Sequence, residues 1–380
     1  MRGSNEVVLA AWSVLLVTGV AGAAQPSRQS EAIAACMVRA AADSGFNGTV
    51  YARFGDEVVE KQFGASDAAG HVPILNHTRF NIASAGKMFT AVAIGRLVDR
   101  GSVRFDAPIG HYFTDLKPEL AVITVAQLLN HTSGLGDYFN PANRAAIDAA
   151  RSATDLLPLA LEAAPAFAAG SRRAYSNSGF VVLGAIIEKV SGLSYAEYVK
   201  REILDPVRMS DTRFDARDSA EPMTRMSPQG MLKTAVLSPM GSVRASPAGG
   251  MFSTARDLAA FLTALRNGGL VSKQTLNALL EPRPNPDGGS GLYGFGFNVR
   301  AQEPRRVGHG GGAPGINAEI ALYPESGAQL IALANNDPPG ASRMVTVLEK
   351  AIFATDAGAA CTTALAEGAI QSPTPAMRHD

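Results

Sequence analysis

In the stretch "FNIASAGKMFTAVAIGRL", residues 80–97, Ser84 precedes an apolar run, and Lys87 lies three positions after Ser84. A spacing of three puts both side chains on one face of a helix. From Met88 to Val98 the run is apolar nearly all round, which predicts a helix buried at the centre of a domain. The lysine at its start is therefore either an ordinary helix-start residue or a base that burial keeps neutral.

The second alternative has a chemical rationale. If Ser84 opens the helix, its backbone N–H is unpaired there and can stabilise a developing oxyanion. Apolar surroundings and the positive end of the helix both lower the pKa of Lys87. A neutral lysine can accept the proton of a serine hydroxyl. An S-x-x-K motif alone is a weak signal, and its position between a strand and a buried helix is what favours a nucleophile with its base.

Length and charge narrow the function classes. The 380 residues suit about two domains of ~150 residues each. Lys plus Arg equals Asp plus Glu, at 34 each, so no basic field favours nucleic acid or acidic lipid. The six histidines show no H-E-x-x-H or comparable metal spacing. We expect a small-molecule or peptide substrate, no metal and no cofactor.

The N-terminus predicts export. Arg2 precedes the apolar "VVLAAWSVLLVTGV", and "AGAAQ" follows with small residues at Ala21 and Ala23. This order is typical of a secretory signal peptide, here residues 1–24, whose apolar part is shorter than a membrane span. We expect a periplasmic or secreted protein with no stable membrane span after cleavage. Because Glu6 weakens the positive charge of the first residues, an N-terminus that remains tethered to the membrane is the alternative.

The two cysteines fit the same compartment but do not determine their own state. Cys36 lies near the start of the mature chain and Cys361 near its end. An oxidising compartment permits one disulfide between them, and two free thiols are the alternative.

The pattern of elements predicts an α/β protein in two parts. The sequence 30–45 reads as a first helix with Ser30 as N-cap and one buried face, formed by Ile33, Met37, Val38 and Ala41. A β-hairpin turns at residues 55–56 and another at 324–327. Strands at both ends and helices between them indicate an α/β domain from residues 25–110 and 290–360. A mostly helical domain, 111–289, is inserted, and residues 361–380 form a tail.

Five motifs, taken together and in this order, indicate a protein family. They are "SAGKMFTA", "ITVAQLLNHTSGL", "YSNSGFVVLGAIIEKVSG", "SPAGGMFSTARDLAAFL" and "GHGGGAPGINAEI". Over residues 30–355 the chain resembles the penicillin-binding-protein-like serine hydrolases, which include class C β-lactamases, D-Ala-D-Ala carboxypeptidases, D-aminopeptidases and family VIII esterases. The resemblance implies a β-lactamase/transpeptidase-like fold, an antiparallel sheet flanked by helices with an inserted all-helical domain.

The resemblance also implies roles for residues. Ser84 matches the acylated nucleophile and Lys87 its base. Tyr175 matches a tyrosine that relays protons as phenol or phenolate, and we expect the charge of Lys87 to depress its pKa. Asn177 matches the side chain that orients the substrate's acyl group. The third motif falls on His309 and Gly310, and the backbone amides of Gly312 and Ser84 match the oxyanion donors. We expect His131 only to hold its loop by hydrogen bonds.

The third motif departs from the family pattern. It reads His309-Gly310-Gly311 where Lys-Thr-Gly is usual. Two groups that would bind a substrate carboxylate are missing or weakened, and the bare glycine strand predicts a roomier site. These features favour an esterase or a D-amino-acid peptidase or amidase. A class C-like β-lactamase or D-Ala-D-Ala carboxypeptidase is the alternative within enzymes, and a non-catalytic penicillin-binding sensor is the alternative outside them.

Overall fold

A computed structural model describes residues 26–215, 219–221, 223–225, 232–234 and 246–367 of the chain. The predicted signal peptide, residues 1–24, and residues 368–380 of the predicted tail lie outside this range.

An eight-stranded antiparallel sheet forms the centre of the protein, in the order β2-β1-β12-β11-β10-β9-β8-β7. Its strands are β1 (Gly48–Phe54), β2 (Glu57–Phe63), β7 (Arg283–Pro284), β8 (Leu292–Tyr293), β9 (Asn298–Arg300), β10 (Arg306–Ala313), β11 (Ile316–Leu322) and β12 (Gln329–Ala334). Two small ladders pair β3 (Phe80–Asn81) with β6 (Phe252–Ser253), and β4 (Met223–Arg225) with β5 (Leu232–Thr234). The first and last long strands are neighbours, so both chain ends build one sheet.

Helices cover both faces of the sheet and fill the middle of the sequence. They are α1 (Arg28–Ser44), α2 (Lys87–Asp99), α3 (Pro118–Ala121), α4 (Val125–Leu129), α5 (Arg144–Ala149), α6 (Ala153–Leu161), α7 (Asn177–Ser191), α8 (Tyr195–Val199), α9 (Asp205–Val207), α10 (Ala255–Arg266), α11 (Lys273–Leu280), α12 (Gly340–Ile352) and α13 (Ala357–Ala366). Short 3₁₀ turns occupy Ala83–Gly86, Ile109–His111 and Pro141–Asn143, and a π-turn, Lys200–Leu204, joins α8 to α9. The predicted α/β fold, an antiparallel sheet flanked by helices, is confirmed.

The sheet separates two hydrophobic cores because successive strand residues point to opposite faces. Along β12, Leu330 and Ala332 pack with α1, α12 and α13, whereas Ile331 and Leu333 pack toward α2 and α7. Strands buried on both faces read as continuous apolar runs. The second core is much the larger, and it extends through the whole helical region.

The first helix begins and faces differently from the prediction. Its N-cap is Ser27, which accepts from the Ser30 amide, so the prediction that Ser30 caps it was wrong. Val38, expected on the buried face, is 52% exposed. The helix ends as predicted at Gly45, whose φ of 62° suits a residue without Cβ.

Helix α2 is buried as its sequence predicts, and it begins later than expected. All its residues from Lys87 to Gly95 are buried, together with Leu97. Ser84 does not open the helix but lies in the preceding 3₁₀ turn, Ala83–Gly86. The S-x-x-K pair therefore spans the junction between a tight turn and an α-helix.

Strand β10 lies directly against that turn. A Cβ built on Gly311 would stand 2.1 Å from the carbonyl oxygen of Ile82 and 3.1 Å from the Cβ of Ala83. No side chain fits this gap. The glycine thus allows the edge of β10 to reach the backbone next to Ser84.

A disulfide joins the first and last helices of the described chain. Cys36 in α1 and Cys361 in α13 are bonded, with their Cα atoms 5.9 Å apart and 325 residues between them in sequence. The segment predicted as a tail therefore begins with helix and is covalently tied to the N-terminus. The alternative of two free thiols is wrong for this structure.

No single helix within the described ranges combines the length and hydropathy of a membrane span. One bent pair, α7 with Tyr195–Val207, has both together and bends by 76°.

Removing the disulfide should destabilise the protein. We expect the Cys36→Ser/Cys361→Ser variant to lose about 2–5 kcal/mol of unfolding free energy, because the unfolded chain regains the entropy of a very long loop. Urea denaturation followed by circular dichroism measures the loss. The wild type should lose a similar amount in dithiothreitol. Equal midpoints for the oxidised, reduced and variant proteins would contradict this expectation.

A methyl group at Gly311 should force β10 away from the turn. Because the obstructing atom belongs to backbone, Gly311→Ala should lower stability by about 1–3 kcal/mol, as overpacking does. Gly358→Ala is the matched control, since its added Cβ would meet nothing nearer than 3.4 Å. Thermal unfolding compares the two, and a control as damaging as Gly311→Ala would show that glycine loss in general is responsible.

Candidate active site

Ser84 is held on a strained and well-anchored turn. The preceding residue, Ala83, has a φ of +44°, which residues with a Cβ seldom adopt. Its amide donates to the Asn81 side-chain oxygen at 2.8 Å, and the Ile82 amide donates to the Met251 carbonyl at 3.0 Å. Ser84 itself is only 4% exposed. The turn therefore presents the hydroxyl in one fixed orientation.

The amine of Lys87 is completely buried and surrounded by three oxygens. Its Nζ lies 2.6 Å from the Ala248 carbonyl oxygen, 2.7 Å from Asn177 Oδ1 and 3.4 Å from Ser84 Oγ. A neutral amine has two hydrogens and one lone pair. The two carbonyl-type oxygens, which only accept, take both hydrogens, and the lone pair is left for the hydroxyl of Ser84.

Burial also changes the charge of this amine. Desolvation lowers the pKa of Lys87 from 10.5 to about 7, and the carboxylate of Asp137 opposes part of that change. At neutral pH a large fraction of Lys87 is therefore uncharged. The rings of Tyr175 and Phe180 lie 4.8 and 5.3 Å from Nζ and complete its enclosure.

Tyr175 lies where its predicted role requires, but the pKa of its phenol differs from the prediction. The hydroxyl is hydrogen-bonded to Ser84, and the residue as a whole is 37% exposed. Burial of the phenol oxygen raises the pKa of Tyr175 well above its usual value, and the bond to Ser84 offsets this only in part. The expectation that Lys87 depresses this pKa was wrong, because enclosure of the phenol has the larger effect.

Asn177 is the first residue of α7, and both the oxygen and the nitrogen of its side-chain amide are hydrogen-bonded. Oδ1 accepts from Lys87, and Nδ2 donates to Asp137 Oδ2 at 2.8 Å. Ser176 caps the helix and places the asparagine in its first turn. The predicted substrate-orienting side chain thus also holds the amine of Lys87.

His309 points from β10 into the same region and is neutral. Its Nδ1 lies 2.5 Å from the Gly310 carbonyl oxygen, an acceptor, so Nδ1 carries the proton. Its Nε2 then accepts from the Tyr293 hydroxyl at 3.0 Å. Burial, with a contribution from Lys87, lowers the pKa of His309 to about 3. The imidazole therefore offers no positive charge to a substrate.

Gly310 and Gly312 of β10 lie on the other face of the strand from His309. A Cβ on Gly310 would stand 2.8 Å from Glu319 Oε2, and Glu319 is paired with Arg306. A Cβ on Gly312 would approach Pro338 at 3.0 Å. The space beside Gly310 therefore faces the ion pair of Glu319 and Arg306, and the roomier site stays a prediction. Gly312 follows directly on Gly311, so its backbone lies beside the turn of Ser84.

His131 does more than hold its loop. As expected it makes a loop hydrogen bond, since its Nδ1 accepts from the Ser176 amide at 3.2 Å. Its ring also stacks against Tyr175 and Tyr293, with centroids 4.3 and 4.8 Å apart. Desolvation keeps the pKa of His131 well below its usual value. The uncharged ring therefore packs against the tyrosine.

Three contributors to the site were not predicted. They are the carboxylate of Asp137, the carbonyl of Ala248 and the hydroxyl of Tyr293. Asp137 follows "NHTSGLG" and Ala248 lies in "SPAGG", so both fall in motifs that could have been searched for partners of a buried lysine. Tyr293 lies on β8 and carried no sequence signal. Among the residues that the structure describes, no group of three or more His, Cys, Asp or Glu side chains could hold a metal.

Known proteins share this architecture. The Beta-lactamase family model matches residues 34–352. Penicillin-binding protein 4* of Bacillus subtilis is 29% identical over 318 residues, covering 77% of this chain and 68% of the relative. Esterase EstB of Burkholderia gladioli is 29% identical over 69% of this chain and 65% of its own.

Solved structures show a similar fold. D-amino acid amidase from Ochrobactrum anthropi SV3, complexed with L-phenylalanine amide, superposes with a TM-score of 0.73 at 26% identity, over 90% of this chain and 99% of that one. With a family match over most of its length, and with Ser84, Lys87 and Tyr175 side by side, the chain belongs to the Beta-lactamase family of serine hydrolases.

Proposed function

We propose that this serine hydrolase is exported and cleaves esters or amides through an acyl-enzyme on Ser84. The preferred substrates are uncharged esters or D-amino-acid amides and peptides. One observation carries the proposal. The buried amine of Lys87 donates to two carbonyl-type oxygens and lies 3.4 Å from Ser84 Oγ.

Acylation follows from this geometry. Neutral Lys87 takes the proton of Ser84 as Oγ attacks the substrate carbonyl carbon. The carbonyl oxygen becomes an oxyanion, which the backbone amides of Ser84 and Gly312 stabilise. Lys87 is then an ammonium in a buried site, which favours passing its proton onward.

Tyr175 completes the proton path. Because its pKa is raised, it is a phenol and can donate to the leaving oxygen or nitrogen while it recovers a proton from Lys87. The leaving group departs protonated and the acyl group stays on Ser84. A water then attacks the ester and gives up its proton along the reverse path, and Ser84 Oγ regains a hydrogen as the acid leaves.

The substrate class rests on charge. His309 is neutral and Gly310 supplies no hydroxyl, so two groups that would hold a carboxylate on the leaving side are absent from this strand. An esterase and a D-amino acid amidase among the similar proteins support the same reading.

Export rests on two features. Residues 1–24 have the order of a signal peptide, and the disulfide between Cys36 and Cys361 suits an oxidising compartment. We place the mature protein in the periplasm or outside the cell.

Substitution of the three central residues tests the reaction. With p-nitrophenyl butyrate, Ser84→Ala should lose at least about a thousandfold in turnover. Lys87→Ala and Tyr175→Phe should each lose about 100-fold or more, because each carries a proton. Lys273→Ala, an exposed lysine, is the control and should keep full activity.

The same preparation separates the alternatives. D-amino-acid amides and a chromogenic cephalosporin are offered beside the ester. Fast cephalosporin hydrolysis favours a β-lactamase, and stoichiometric labelling by a fluorescent penicillin without turnover favours a sensor. Near-wild-type rates for Lys87→Ala and Tyr175→Phe would remove the assigned roles.

The pH profile should report the base. Since Lys87 must be neutral, kcat/KM should rise with pH, reach half its plateau near pH 7 and fall as the amine is protonated below that. The raised pKa of Tyr175 leaves the plateau intact to at least about pH 9. Initial rates from pH 5 to 9 measure the curve, and a plateau that persists below pH 5.5 would be inconsistent with a lysine base.

A further inference from the structure

Asp137 is hydrogen-bonded to Asn177, which is one of the two residues that accept from Lys87. It follows α4 in the loop "GLGDYF" and is half-buried. Oδ2 accepts from Asn177 Nδ2 at 2.8 Å, and Oδ1 accepts from the Phe139 amide at 3.0 Å. The backbone contact fixes the carboxylate in its loop, and the side-chain contact ties it to the first turn of α7.

This contact determines which way the amide of Asn177 faces. An ionised carboxylate only accepts hydrogen bonds, so the group of Asn177 that faces Asp137 must be the NH₂. The oxygen then faces Lys87. In the flipped amide the NH₂ would meet the amine, which could accept only with its lone pair. That lone pair would no longer face Ser84 Oγ.

The carboxylate also acts on the charge of the amine. The titratable groups around Lys87 are Tyr175 beside it, His131 from the loop after α4, His309 from β10, and Asp137. Burial keeps the two histidines and the phenol uncharged near neutral pH. Asp137 alone of these four favours the ammonium form.

We propose that Asp137 is a positioning residue for the catalytic base, which fixes the amide of Asn177 so that the lone pair of Lys87 faces Ser84. This inference rests on the proposed function, because it assumes that Lys87 activates Ser84. It adds a third member behind the lysine and asparagine and gives the loop after "HTSG" a part in the reaction. Asp137 itself touches neither the substrate carbonyl nor the nucleophile.

Two substitutions separate the contributions of shape and charge. Asp137→Asn can still accept from Asn177 through its oxygen, but it carries no charge. Asp137→Ala removes both the acceptor and the charge. Asp106→Asn is the matched control, since it removes a carboxylate that pairs with Arg104 on the surface.

The measurement is the rate at which a fluorophosphonate probe labels Ser84, from pH 5.5 to 9. This probe needs an activated serine and no knowledge of the natural substrate. Asp137→Asn should shift the midpoint of the rate curve about one pH unit downward, because the ammonium of Lys87 loses a stabilising charge. Asp137→Ala should show the same shift and a plateau about tenfold lower, because Asn177 is no longer held. Asp106→Asn should follow the wild type.

The outcomes distinguish a failure of the proposed function from a failure of the positioning role. If the wild type is not labelled, or Ser84→Ala is labelled equally, the proposed function fails. If labelling depends on Ser84 while Asp137→Ala keeps the wild-type plateau, the positioning role fails and the function stands, whatever happens to the midpoint. Thermal unfolding identifies a variant that fails to fold. If Asp137→Ala does so, Asp137→Ser, which is too short to reach Asn177, replaces it, and a wild-type plateau there overturns the positioning role.

Discussion

The site depends on the burial of one amine. A free lysine is an ammonium at neutral pH and cannot accept a proton. Here the apolar interior around α2 lowers the pKa of Lys87 to about 7, which corresponds to roughly 5 kcal/mol against the charged form. Two carbonyl-type oxygens satisfy the neutral amine without neutralising a charge. The surrounding core therefore serves both stability and chemistry.

The site gathers parts from elements that are far apart in sequence. The turn before α2 carries Ser84, the start of α7 carries Asn177, and β10 brings His309 past the same point. Glycine makes the last approach possible, because any Cβ at Gly311 would overlap the Ile82 carbonyl. A strand from the C-terminal half thus lies directly against the turn that carries Ser84.

Local patterns predicted much of the fold and identified the central residues of the site. The unbroken apolar run of α2 indicated its burial, and the turn at residues 55–56 indicated the first hairpin. The motifs located Ser84, Lys87, Tyr175 and Asn177, which the structure brings together. What sequence could not supply depends on non-local contacts: the carboxylate next to Gly310 comes from the neighbouring strand, and the exposure of Val38 from how α1 docks. The direction of the Tyr175 pKa was missed for the same reason, since it follows from enclosure.

The pairing of β1 with β12 has a consequence for biosynthesis. The hairpin of β1 and β2 is complete once some sixty residues have been made, yet its inner neighbour comes from residues 329–334. The N-terminal strands thus keep an unpaired edge until nearly the whole polypeptide has emerged, and contacts of such long sequence separation form slowly. Pairing of the whole sheet therefore has to wait until residues 329–334 are available.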